Sequence, residues 1–143
     1  MQQALVDTGV LYGAFQNRDQ YHDKALEIVK EADRGHLPVL VALDFVIAET
    51  MNALTQEIRH DECSRAYSMV EESAGLEIKR TSNAVWDRGV IAYKKQSHLS
   101  FVDSLLYAYS RENEVEYIYS FDDGFDGLDG LSRLNTAVNP YEP

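Results

Sequence analysis

The chain has 143 residues, of which 45% are hydrophobic and 10% aromatic, so its length predicts one domain over residues 1–143 and its composition excludes wholesale disorder. The longest purely apolar run, 39–43, is far too short to cross a bilayer, and no basic residue precedes the first apolar stretch. We therefore expect a cytoplasmic protein with no membrane association. The single cysteine, Cys63, excludes an internal disulfide and a cysteine-based zinc finger.

The charge balance is strongly acidic and leaves two interpretations open. Asp and Glu number 24 against 13 Lys and Arg, which gives a net charge of −11. Such a surface repels polyanions, which argues against a nucleic-acid partner. Lysine is scarce, however, and an acidic, lysine-poor surface is also typical of adaptation to high salt, where screening shortens the repulsion. Under this halophilic interpretation, net charge says little about whether the substrate is a nucleic acid.

Short apolar runs alternate with longer helical stretches, which predicts an α/β fold with a mainly parallel sheet. Strands are predicted at 4–6, 38–42, 76–78, 115–119 and, as an edge strand, 134–138. A first helical turn is predicted after Asp7 and extends to Phe15. Longer helices are predicted at 21–32, 44–58, 61–73, 82–97 and 100–109. We expect Asp19, Asp44 and Ser100 to cap three of these helices.

Four acidic residues fall where a parallel sheet places its ligands, at the carboxyl ends of the strands. Asp7 ends the first strand, and Asp122 follows the strand at 115–119. Asp103 lies in the first turn of a helix, and Glu49 lies about one turn into another. These four residues are the candidate site.

Each acid also has an ordinary structural interpretation. Asp7 is a suitable helix cap, and Asp103 completes a capping box that begins at Ser100. Asp122 fits a turn before Gly124, and Glu49 fits a solvated helix surface. Taken singly, these interpretations are favoured.

Taken together, the acids favour a metal site. Glu49 and Asp103 lie within apolar helical segments, and none of the four has an obvious cationic neighbour in sequence. Clustered carboxylates are the ligands that hard divalent cations prefer, which indicates Mg²⁺, with Mn²⁺ as the alternative. A site of this kind is typical of phosphoryl transfer, in which the metal activates a water.

These motifs resemble the PIN domain family, and more narrowly the VapC-type ribonuclease toxins of toxin–antitoxin systems. The matching segments are Val6-Asp7-Thr8, the run ending at Glu49, Phe101-Val102-Asp103-Ser104-Leu105 and the stretch 120–125. The resemblance implies a three-layer α/β/α fold with a short parallel central sheet. It also implies a Mg²⁺-dependent endoribonuclease that acts on an RNA substrate, forms a homodimer and is inhibited by a small antitoxin protein.

The resemblance assigns roles residue by residue. Asp7, Glu49 and Asp103 match the three strongest metal-binding acids, and Asp122 matches the fourth, which varies in the family. Thr8 and Ser120 match hydroxyl residues that hydrogen-bond to these acids. Asp126 is a further acid that could support the metal ligands without binding the metal itself. Arg18, Arg88, Lys94 and Lys95 are the candidates for RNA contact, with a solvated helix surface as the alternative.

Other side chains receive ordinary roles. Phe125 is expected in the core, whereas Tyr12 lies close enough to the site in sequence to contact a base. Trp86 is expected in the core or at an interface, and the four histidines are expected at the surface. The apolar faces of the helix 61–73 and of the first long helix could serve a dimer or an antitoxin, although the domain's own core is the favoured use.

Three other functions remain open beside the toxin. The first is a housekeeping RNA-processing nuclease of the same family, and the second is a catalytically silent module that binds a protein or RNA. A phosphatase of the haloacid dehalogenase type is disfavoured, because that chemistry needs a second aspartate two residues after Asp7, where the chain has Gly9.

Overall fold

The computed structural model describes residues 2–142, which form a parallel five-stranded sheet covered by helices on both faces. The strands are β1 Gln3–Val6, β2 Val39–Leu43, β3 Leu76–Lys79, β4 Tyr117–Tyr119 and β5 Ser132–Leu134. The helices are α1 Thr8–Phe15, α2 His22–Asp33, α3 Asp44–Thr55, α4 His60–Glu72, α5 Asn83–Lys95 and α6 Phe101–Asn113. The three-layer α/β/α prediction is thus confirmed. No helix among the described residues is long and apolar enough to span a membrane.

The strand order is β3-β2-β1-β4-β5, which places the first strand of the chain at the centre of the sheet. Leu5 pairs with Val41 of β2 on one side and with Ile118 of β4 on the other. Helices cover both faces, so the central strands read as continuous apolar runs rather than alternating ones. Residues 4–6 and 40–43 are accordingly completely buried.

The predicted edge strand at 134–138 is wrong in its position. The edge strand is β5, Ser132–Leu134, which pairs with β4, and the chain leaves the sheet after Leu134. The Val138 N–H donates to the carbonyl of Thr136, and Val138 is half exposed. This local turn replaces the strand hydrogen bonds that the apolar residues of 134–138 suggested.

Two predicted helix caps differ from the structure, and one is confirmed. Asp44 is the first residue of α3 rather than its cap, and its carboxylate accepts the Thr81 hydroxyl at 2.7 Å. Asp19 accepts the Tyr21 N–H in the turn before α2. Ser100 does cap α6, because its hydroxyl accepts the Asp103 N–H at 3.1 Å.

Two close approaches between elements require glycine. The turn between α4 and β3 contains Gly75, where a Cβ would lie 2.3 Å from the backbone carbonyl group of Ala32 at the end of α2. In α5, a Cβ on Gly89 would lie 2.5 Å from a methyl group of Leu105 in α6. These contacts bring α2 against the α4–β3 turn and α5 against α6.

Candidate active site

The site is built at the carboxyl ends of β1 and β4, the two neighbouring strands at the centre of the sheet. Asp7 follows β1 directly, and its N–H donates to the carbonyl of Tyr119 at the end of β4. Ser120 and Asp122 follow β4 in turn. The parallel pairing of these strands therefore brings Asp7 and the segment 120–122 together at the carboxyl-terminal end of the sheet.

Asp103 reaches the same place from the first turn of α6. One carboxylate oxygen from each of Asp7, Asp103 and Asp122 lies within 4.8 Å of the others. Asp7 is buried, Asp103 is half-buried and Asp122 is exposed. Three carboxylates this close repel one another, and their hard oxygen atoms suit a divalent cation such as Mg²⁺ or Mn²⁺.

Hydrogen bonds fix the orientation of this acid cluster, by which we mean Asp7, Asp103 and Asp122. Asp7 accepts the Thr8 N–H at 2.8 Å and the Ser120 hydroxyl at 2.7 Å. The same Ser120 oxygen accepts the Asp122 N–H at 2.9 Å, and Asp122 accepts the Gly124 N–H at 2.9 Å. Asp7 is thus a helix cap and Asp122 a turn residue, and both roles coexist with membership of the cluster.

Glu49 is connected to the acid cluster indirectly. Its carboxylate accepts the Thr8 hydroxyl at 2.7 Å, and Thr8 is the chain neighbour of Asp7. Glu49 is exposed in the structure, so it is not embedded among apolar side chains as its sequence neighbours suggested. It lines the same cleft as the cluster without sharing its close oxygen contacts.

Burial and mutual repulsion change the acidity of two members of the cluster. Burial raises the pKa of Asp7 from 3.8 to about 6, although the hydrogen bonds from Ser120 and Thr8 oppose the rise. Burial and the charges of Asp7 and Asp122 raise the pKa of Asp103 to about 7. A bound cation would lower both pKa values again, because a nearby positive charge favours the ionised form of a carboxyl group.

The acid cluster opens into a cleft of about 460 Å³ that is strongly acidic. Its described lining includes five carboxylates and no lysine or arginine. The carboxylates are those of Asp7, Asp19, Glu49, Asp103 and Asp122. A phosphate entering the cleft would meet repulsion on every side in the absence of a cation.

The structure does not bring the basic candidates for RNA contact to this cleft. Arg88 forms an ion pair with Glu112 at 2.6 Å, and with Lys95 it lines a separate groove between α5 and α6. Lys94 is exposed on α5. Arg18 is exposed in the turn after α1, and its positive charge helps to lower the pKa of Glu57.

Asp126 contacts the site through an arginine that the sequence did not single out. Its carboxylate pairs with the Arg133 guanidinium at 2.9 and 3.0 Å, and Arg133 also donates to the Ser120 carbonyl at 3.4 Å. Arg133 thereby links β5 to the segment that carries Asp122. In the sequence, Arg133 stands out only as a basic residue after the turn-rich segment 122–131. No motif indicates that Asp126, seven residues earlier, is its partner.

An aromatic pair beside the acids was also missed. The rings of Tyr21 and Phe121 are stacked, with centroids 4.4 Å apart and planes inclined by 11°, and both residues line the cleft. Tyr12 lines it too, but its hydroxyl donates to Glu57. Phe125 is completely buried, as predicted.

The remaining side chains lie outside the cleft. Cys63 is buried in a small cluster with Leu54 and Ala66. Trp86 is 41% exposed and packs against Phe45 and Phe101, so it is not a core residue. Three histidines are exposed, as predicted, whereas His22 is half-buried against the carbonyl of Gly13.

Comparisons with known proteins agree with this architecture. The profile of the PIN domain family matches residues 4–131. No curated protein sequence gives a significant match. The structure is similar to VapC20 of Mycobacterium tuberculosis, described as a toxin that cleaves the sarcin–ricin loop, with a TM-score of 0.74 and 19% identity over 96% of this chain and 99% of that one.

Two further solved structures have the same fold. A toxin–antitoxin complex from Klebsiella pneumoniae gives a TM-score of 0.67 at 18% identity, covering 95% of this chain and 98% of its own. FitAcB of Neisseria gonorrhoeae gives 0.62 at 14% identity, covering 98% and 99%. At these identities the likeness concerns the fold.

Proposed function

The chain belongs to the PIN domain family, and on that premise we propose that it is a divalent-metal-dependent endoribonuclease. The observation that carries the proposal is the acid cluster, whose three carboxylates lie within 4.8 Å of one another in a cleft whose described lining has no basic side chain. Such an arrangement is costly unless a cation occupies it. A nuclease site is the use that best fits this arrangement in a chain of this family.

The donor set fits Mg²⁺ or Mn²⁺. Asp7, Asp103 and Asp122 would hold the ion, and Glu49 lies near them through its hydrogen bond with Thr8. All of these ligands are carboxylate oxygens, and no cysteine or histidine lies among them, so a hard cation is favoured over zinc. When bound, the ion supplies positive charge for the phosphate oxygens and acidifies a water for in-line attack.

The protein's own residues hold this site in shape. Ser120 orients Asp7 by donating to it, and it fixes Asp122 by accepting its N–H. Thr8 orients Glu49 through its hydroxyl. The Asp126–Arg133 pair acts from outside, because Arg133 bonds the carbonyl of Ser120. These contacts reduce the reorganisation that substrate and metal binding would otherwise require.

We further propose that this ribonuclease is the toxin of a type II toxin–antitoxin pair. Solved structures with this fold include a toxin and a toxin–antitoxin complex. A groove between α2 and α4 is lined by apolar side chains that include Met69, which is 62% exposed. For the apolar faces of these two helices the domain's own core was the favoured use and a dimer or an antitoxin the alternative; the exposed apolar surface that remains here supports a small antitoxin protein as the partner. Homodimer formation stays a prediction.

The test is RNA cleavage by the purified, antitoxin-free protein with Mg²⁺ or Mn²⁺, compared with the same reaction in EDTA. We expect cleavage only with metal, and we expect Asp7→Asn to reduce it by at least about a hundredfold while the protein stays folded. Asp87→Asn is the matched control. Asp87 is exposed on α5, so this substitution removes the same charge outside the cleft and should leave cleavage unchanged.

The outcomes separate the candidate functions. Metal-independent cleavage, or full activity in Asp7→Asn, would contradict the proposed site. A folded protein that binds RNA without cutting it in any metal would favour the silent binding module. Growth arrest on expression, relieved by the product of a small adjacent gene, would distinguish the toxin from a housekeeping nuclease.

A further inference from the structure

The walls of the cleft offer the phosphates of RNA no cationic side chain. Among the described residues that line it, five carry carboxylates and none carries an ammonium or guanidinium group. Phosphate contacts to Lys and Arg normally supply most of the sequence-independent affinity for nucleic acid. Besides a bound cation and neutral hydrogen bonds to the phosphates, affinity at this site therefore depends on groups that contact the bases or the sugars.

Tyr21 and Phe121 are the groups in the cleft best suited to contact a base. Their rings are stacked at a centroid distance of 4.4 Å and inclined by only 11°. Phe121 is half-buried and packs against the hydrophobic core, whereas 38% of Tyr21 is exposed. The core thus supports Phe121, and Phe121 supports a tyrosine that remains accessible from the cleft.

The pair is fixed relative to the acid cluster. Phe121 lies in the chain between Ser120, which donates to Asp7, and Asp122, which belongs to the cluster. Tyr21 is held by the hydrogen bond from its N–H to the Asp19 carboxylate, at 3.0 Å. A base resting on Tyr21 would consequently be held at a defined place beside the acids.

We propose that Tyr21, supported by Phe121, stacks on an unpaired base of the RNA next to the cleavage site. This inference rests on the proposed ribonuclease function. Every base has a π face, so stacking binds RNA without any cationic side chain. A base inside a duplex is already stacked on its neighbours and is not available to the tyrosine.

The experiment uses short single-stranded oligoribonucleotides that carry 2-aminopurine, a base whose fluorescence is quenched on stacking. Binding is followed by this fluorescence in Ca²⁺, once Ca²⁺ is shown not to support cleavage, and kcat and KM are measured in Mg²⁺. We expect quenching at one nucleotide position next to the cleavage site. The same sequence in a duplex should bind weakly and remain uncut.

Three substitutions at one position separate stacking from packing. Tyr21→Phe keeps the ring and should keep both quenching and KM. Tyr21→Leu keeps an apolar cover over Phe121, and Tyr21→Ala removes it; both should raise KM about 5- to 150-fold and abolish quenching, with kcat little changed. Tyr67→Ala is the matched control, because Tyr67 is 39% exposed on α4, outside the cleft.

The readouts distinguish failure of this inference from failure of the proposed function. Cleavage without quenching, or Tyr21→Leu with the KM of Tyr21→Phe, would overturn the stacking role and leave the ribonuclease intact. Quenching by the wild type without cleavage in any metal would support stacking and overturn the ribonuclease. A wild type that neither binds nor cuts these oligonucleotides would overturn both.

Discussion

At the scale of single residues, the protonation of Asp7 and Asp103 links pH, stability and metal binding. Their pKa values rise to about 6 and about 7, against 3.8 for the ordinary aspartate of an unfolded chain. Between about pH 5 and pH 7, where ordinary carboxyl groups are already ionised in both states, Asp7 and Asp103 therefore hold more protons in the folded protein than in the unfolded one. Stability of the metal-free protein should fall as the pH rises through this range.

The same groups make metal affinity depend on pH. Because a cation must displace the protons from Asp7 and Asp103, we expect the Mn²⁺ affinity to rise by up to about tenfold per pH unit for each proton displaced, and to level off above about pH 7. Calorimetric titration between pH 5 and pH 8 measures this directly. An affinity that does not change with pH would contradict the placement of the metal on these carboxylates.

Ser120→Ala provides a sharper test of the same chemistry. The Ser120 hydroxyl lowers the pKa of Asp7 by donating to its ionised form, so its loss should move the pH dependence of Mn²⁺ binding to higher pH. We expect binding at pH 6 to weaken by about tenfold. Ser110→Ala is the control, since Ser110 is equally buried but donates to the carbonyl of Tyr107 within α6; equal shifts in both variants would exclude a specific effect on Asp7.

At the scale of elements, the close contact between α2 and the α4–β3 turn predicts a large effect from one added methyl group. In Gly75→Ala the new carbon would lie 2.3 Å from the backbone of Ala32, so the two elements must separate. We expect the free energy of unfolding in urea to fall by about 1–3 kcal/mol.

The control for this prediction is Gly9→Ala in α1, where nothing lies within 4 Å of the added carbon. Alanine also has the higher helix propensity, so this variant should be no less stable than the wild type. If Gly75→Ala were as stable as Gly9→Ala and the wild type, the α2 contact would be looser than the structure indicates.

The sequence predicted those elements whose signals are local. The cap Ser100 was predicted because its hydroxyl bonds an N–H only three residues later in the chain. The edge strand was misplaced because its limits depend on pairing with β4, which no local pattern records. Asp7, Asp103 and Asp122 were singled out through their order and context, and the structure brings them together. The stacking of Tyr21 on Phe121, by contrast, joins distant parts of the chain and has no sequence signature.

At the scale of the whole molecule, the net charge of −11 predicts an unusual response to salt. An RNA approaching the protein is repelled, and added KCl screens that repulsion. At fixed Mg²⁺ we therefore expect kcat/KM for RNA cleavage to stay level or rise between about 0.1 and 1 M KCl. Thermal unfolding over the same range serves as the control for stability. A decline of log kcat/KM against log[KCl] with a slope near −0.7 per phosphate contact would instead indicate that basic side chains contact the RNA.

The central position of β1 also bears on how the protein is made. One side of β1 can pair with β2 early in synthesis, but the other side waits for β4 at Tyr117–Tyr119. Ser120 and Asp122, which complete the hydrogen bonds around Asp7, are translated later still. Under the proposed function, a nascent chain on the ribosome would carry Asp7, Glu49 and Asp103 before its metal site could form, so it could not cleave the messenger RNA being translated until residues 117–122 had been added.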